Sequence, residues 1–198
     1  MGRLPVMAVA NVELLENGLA SVELQKQKLA KLLEVFNRLY SESENTRLQL
    51  GEDEPIYLPA DETVHFNRII FAHGFFASAL HEISHWLVAG VQRRKQEDYG
   101  YWYEPDGRTQ QQQLEFEQVE IKPQALEWIL SRACGHQFHF SADNLEGGAV
   151  ISPAFKSNVK AQAQQLIDQG LSLRAQLLVT ELCHCFAQKL PRAEDFIL

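Results

Sequence analysis

The chain has 198 residues, 45% of them hydrophobic and 10% aromatic, which suits one folded domain and excludes a largely disordered protein. Its 18 basic and 26 acidic residues give a formal net charge of -8, the wrong balance for a phosphate-backbone binder, so direct nucleic-acid binding is not expected. No apolar run reaches the ~20 residues that a membrane helix needs, so no membrane association is expected.

Residues 1–22 show no sustained pattern and read as a flexible or loosely packed extension, leaving 23–198 as the functional domain. The short apolar run Leu4 to Ala10 soon meets Glu13 and Glu16 and does not read as a signal peptide. From Val22 to Tyr40, Leu29, Leu32, Leu33, Phe36 and Leu39 fall at helical spacing. Ser41 to Glu54 is polar and acidic and reads as a loop, and Ile56 to Pro59 as a short extended piece bounded by prolines. Arg68 to Ala72 favours a strand, and His73-Gly74 a turn. The strongest helix then spans Phe75 to Ala89, with Gly90 as its expected C-cap. Arg93-Arg94-Lys95 is the one dense basic spot and reads as a solvated helix end.

Tyr99 to Tyr103 reads as a strand or a packed loop, and Pro105-Asp106-Gly107 as a turn capped by Asp106. A helix is expected from Leu114 to Cys134, either kinked at Pro123 or divided into two helices near Glu120. Further helices are expected at Pro153 to Gly170 and Ser172 to Lys189. Strands are few and short, so the expected fold class is α+β: a mainly helical single domain with a small sheet. Cys134, Cys183 and Cys185 form no CxxC pair and favour a reducing compartment, so a soluble cytoplasmic protein is expected.

The chemistry is concentrated in His81-Glu82-Ile83-Ser84-His85. Residues four apart lie on one face of a helix, so both imidazoles can grip one divalent metal ion. Glu82, rotated by about 100° around the axis, can lean over the open face of the metal without binding it. Leu80, Ile83, Trp86, Leu87 and Val88 make this helix largely buried, and buried imidazoles need partners. No third histidine follows at metzincin spacing. Glu117 and Glu120 share a helix face, so one can bind the metal while the other orients a histidine. Glu120 is favoured as the ligand because it lies between Val119 and Ile121.

Other residues carry weaker signals. His73, at the turn feeding the metal helix, is a candidate pocket residue, and His65 a weaker one. His136 and His139 read as a surface pair, and Asp143, Asn144 and Glu146 as a pocket rim. His184 lies between Cys183 and Cys185, but neighbours on a helix diverge by about 100°, so this trio reads as packing. On the residues alone, the motif suits a zinc peptidase with Glu82 as general base, another metal enzyme, or a metal-stabilised binding module.

Longer stretches narrow the choice. Gly51-Glu52-Asp53-Glu54-Pro55-Ile56-Tyr57-Leu58-Pro59-Ala60, Phe71 to Trp86, Gly100 to Arg108, Val119 to Trp128 and Asp143 to Gly147 occur in order. Together they resemble the bacterial elongation factor P hydroxylase family over about residues 32 to 190. The resemblance implies a zincin-like HExxH site and hydroxylation of a lysine at a loop tip of elongation factor P that already carries a β-lysyl group. It implies His81 and His85 as ligands with Glu120 as the carboxylate. Two histidines and one carboxylate form the ligand set of non-haem iron(II) oxygenases. Zinc cannot change oxidation state, so iron(II) is the expected working metal even where zinc or another ion fills a purified sample. No 2-oxoglutarate-binding pattern can be read.

Overall fold

Leu32, Val35, Phe36 and Tyr40 recur along one helical stripe, and all four are buried. They belong to α1 (Val6–Tyr40), the first element of a computed structural model that describes residues 6–52, 54–100, 109–141 and 151–198. The apolar pattern begins near Val22, whereas the helical backbone begins at Val6. The readings placed on Tyr101–Tyr103, Asp106, Asp143, Asn144 and Glu146 lie outside the described residues.

Three strands follow: β1 (Thr46–Leu50), β2 (Ile56–Leu58) and β3 (Asn67–Phe71). β3 is central, with β1 parallel to it and β2 antiparallel. β1 corrects the loop expected over Ser41 to Glu54. Its alternation is short and half polar: Thr46 and Leu48 are buried while Arg47 is exposed. What fixes it is not local. The Asn37 side chain of α1 accepts from the Leu48 amide at 2.8 Å and donates to the Leu48 carbonyl at 3.1 Å, acting as a missing neighbour strand at the sheet edge.

α2 (Phe76–Val88) runs from the end of β3 back across the sheet. Its buried side carries Ala79, Leu80, Ile83 and Trp86, all fully buried. Trp86 is clasped by Phe36 and Tyr40, with ring centroids 5.3 and 4.9 Å away, and the Arg174 guanidinium lies 4.5 Å from its centroid. Burying side chains of this kind stabilises the fold by about 1.5–3 kcal/mol each. The cap of α2 is Ala89, not Gly90 as the sequence suggested. Ala89 turns extended at φ -63 and ψ 125 while its amide still reaches the His85 carbonyl at 2.9 Å. No left-handed glycine is needed because the chain leaves in an extended direction.

α3 (Gln110–Ala133) packs across α2, and α4 (Pro153–Gln169) and α5 (Leu173–Cys185) pack against α3. Thr109 and Gln112 form a reciprocal capping box at the start of α3. α3 runs through Pro123 as one helix. A proline removes one backbone bond, and the flanking Phe116, Ala125, Leu126 and Ile129 are buried, so tertiary packing holds the helix together. The outcome is a mainly helical α+β domain with a small three-stranded sheet. Among the described residues no helix is long and apolar enough to cross a membrane.

Candidate metal centre

The face of α2 opposite Trp86 meets the middle of α3. His81 and His85, one turn apart, put their Nε2 atoms 3.0 Å from each other. From α3, Glu120 brings Oε1 to 3.3 Å from His85 Nε2 and Oε2 to 3.8 Å from His81 Nε2. Glu120 is only 2% exposed. Among the described residues, His81, His85 and Glu120 form a group whose ligand atoms all lie within 4.8 Å of one another.

The donor set fits a divalent cation. Ligand atoms bound at ~2.0–2.1 Å to one ion lie ~3.0–3.4 Å apart, close to the separations found for His85. Two imidazole nitrogens facing each other beside a buried carboxylate need a cation or a proton between them. Burial works to lower the His81 pKa, but the hydrogen bond and charge of Glu127, with the charges of Glu120 and Glu82, hold it well above the ordinary histidine value. His85 is raised too, the Glu120 charge and hydrogen bond outweighing the opposing effect of burial. For Glu120, burial works to raise the pKa, while the charge and hydrogen bond of His85 and the charge of His81 bring it below the ordinary carboxylate value.

Two flanking residues escaped the sequence reading. Glu127 accepts the Nδ1 hydrogen of His81 at 2.9 Å, which turns the Nε2 lone pair toward the centre. Gln124, fully buried, donates to Glu120 at 3.4 Å and to the Ser141 carbonyl at 2.8 Å, and its oxygen accepts from the Ser141 amide at 3.2 Å. Glu120, Gln124 and Glu127 stand at i, i+4 and i+7, one polar stripe along the buried face of α3. The sequence carries a partial signal: Gln124 and Glu127 are polar residues at helical spacing from Glu120, amid Ala125, Leu126, Trp128 and Ile129.

The structure therefore gives Glu127 the histidine-orienting contact that the sequence reading gave Glu117. Glu117, three residues before Glu120, accepts instead from the Ser152 hydroxyl at 3.0 Å, at the N-cap of α4. His73 is exposed and lies outside the metal group, in a turn at φ 52 with its ring 5.5 Å from Phe75. His65 and His139 are exposed, and the His136 ring packs 4.9 Å from Phe76. On α5, Cys183 is buried and His184 exposed, so that trio does not converge. Glu82 is partly buried, and its charge acts on His81, His85 and the buried phenol of Tyr99.

Comparison with known proteins matches the sequence to a family. The family model described as elongation factor P hydroxylase matches residues 35–196. A relative from Haemophilus influenzae, named elongation factor P lysine hydroxylase, is 54% identical over 153 residues, covering 77% of this chain and 86% of the relative. That name replaces the zinc-peptidase reading that an HExxH motif also allows. The span includes both metal-facing helices and the α3 stripe, and the chain belongs to the elongation factor P hydroxylase family.

Proposed function

We propose that this protein hydroxylates a lysine side chain of elongation factor P, and that the acceptor lysine already carries a β-lysyl group. The observation carrying the reading is the long match to a named lysine hydroxylase that spans a partly buried His/His/Glu group able to hold a metal ion. His81, His85 and Glu120 hold the metal in this reading. Iron(II) bound there supplies the redox capacity that C–H oxidation requires and zinc lacks. Two histidines and one carboxylate would hold such an ion with part of its coordination shell left to other ligands.

The chain's own residues set the stage. Glu127 holds the His81 Nδ1 hydrogen, and Gln124 steadies the Glu120 carboxylate. Packing of Trp86 on the far side of α2 fixes the helix that carries both imidazoles. Glu82, beside His81 and partly buried, pairs with the cationic substrate or holds a proton near the centre. The protein acts in the cytoplasm, with a translation factor as its substrate.

The test is mass spectrometry of β-lysylated elongation factor P after incubation with the protein, iron(II), air and ascorbate, the ascorbate supplying the two electrons that reduce the second oxygen atom to water. Gain of one oxygen atom on the modified lysine is expected, with zinc failing to replace iron. Peptide-bond cleavage without oxygen gain rejects the reading.

A further inference from the structure

α2 ends at Val88, and at Ala89 the chain turns extended and leaves through Gly90 and Val91. This leaves a cavity of about 440 Å³ between the end of α2, the turn after it and the middle of α3. The volume lies in the ~300–1,000 Å³ range of small-ligand cavities. His85 belongs both to this wall and to the metal group, so the cavity reaches the centre.

The wall has a consistent chemistry. Val88, Val91, Val119 and Pro123 make it apolar. Pro123 has no amide hydrogen, so the Val119 carbonyl one turn earlier has no helical partner at i+4. Both residues line the cavity, so the carbonyl without a helical partner belongs to a residue of its wall. The charged residue in the wall, Arg93, is exposed and donates through Nη1 to the Tyr99 carbonyl at 3.0 Å. An unbranched aliphatic chain ending in nitrogen matches this lining: methylenes against valines, an N–H against the carbonyl.

We infer that this cavity seats the methylene chain of the substrate lysine beside His85, with the Val119 carbonyl accepting from its nitrogen. The inference rests on the hydroxylase reading and adds the seat of the side chain to it. The valines offer apolar contact to the methylenes of the side chain.

Gly90 offers a clean test, because a Cβ added there meets nothing within 4 Å. Gly90→Trp sets a bulky side chain in the turn that lines the cavity, and Val119→Phe enlarges a lining side chain on α3. Binding of β-lysylated elongation factor P, and of elongation factor P with the acceptor lysine changed to alanine, is measured by calorimetry without oxygen, alongside metal affinity. Truncating the lysine is expected to weaken binding to the unaltered protein at least tenfold. Either cavity variant weakens binding of intact substrate by a similar factor and removes the effect of truncation, while metal affinity stays within about twofold. The inference is overturned if both variants keep the full lysine-dependent gain, or if the unaltered protein ignores the truncation. Failure of the hydroxylase reading looks different: lysine-dependent binding blocked by Gly90→Trp, with no oxygen ever added.

Discussion

Glu127→Ala removes the acceptor that orients His81 and touches neither Glu120 nor His85. The carboxylate is 6% exposed and 2.9 Å from Nδ1, so no bulk water replaces it at once, and the Nδ1 hydrogen loses its partner. The imidazole is then free to take the other tautomer, with its hydrogen on the nitrogen that faces the metal. Orienting partners of metal-bound histidines are typically worth 10–100-fold in metal affinity, about 1.4–2.7 kcal/mol. A charge-assisted hydrogen bond contributes about 1.5–3 kcal/mol, so two independent routes give the same range. Glu127→Gln keeps an oxygen acceptor without the charge and should fall between. The assay is anaerobic competition for iron(II) against a chelator, with unfolding midpoints recorded for each variant. If Glu127→Ala binds metal within twofold of the unaltered protein, Glu127 does not position His81.

Three further outcomes follow from the geometry. Ile83→Ala, at a fully buried position of α2, should cost about 2–5 kcal/mol in denaturant unfolding, and a loss below 1 kcal/mol would show that the interior refills the space. Asn37→Ala strands both polar groups of Leu48 and should cost about 1–3 kcal/mol, with amide exchange accelerating selectively in β1; exchange unchanged in β1 contradicts the clamp. His81 has a folded pKa above its unfolded value near 6.5, so its contribution to the stability of metal-free protein is complete below the unfolded value. That contribution is lost as pH rises through the folded pKa. Thermal midpoints of chelator-treated protein should therefore fall across that window and recover on adding metal, and Glu127→Gln should flatten the fall.

The centre was legible where its chemistry is local. His81 and His85 are one helical turn apart, and Glu120 stands out as a carboxylate between apolar neighbours. Glu127 was harder to see, because choosing among glutamates on α3 requires knowing which face α2 covers. Glu117 and Glu127 are both one or two turns from Glu120, and only the packing of α3 on α2 separates them. β1 was hidden for a similar reason: its pairing comes from β3 and Asn37, both distant in sequence. Pro123 left one helix or two open in the sequence, and burial on both sides of it holds the single helix that local propensity alone would break.

Metal stoichiometry by equilibrium dialysis of iron(II) without oxygen tests the grip of two imidazoles and one carboxylate most directly. The unaltered protein should bind one ion per chain, and His81→Ala, His85→Ala and Glu120→Ala should each lose it, while Glu117→Ala retains it. Full binding in His85→Ala or Glu120→Ala, in protein that remains folded, would place the metal elsewhere and contradict the account.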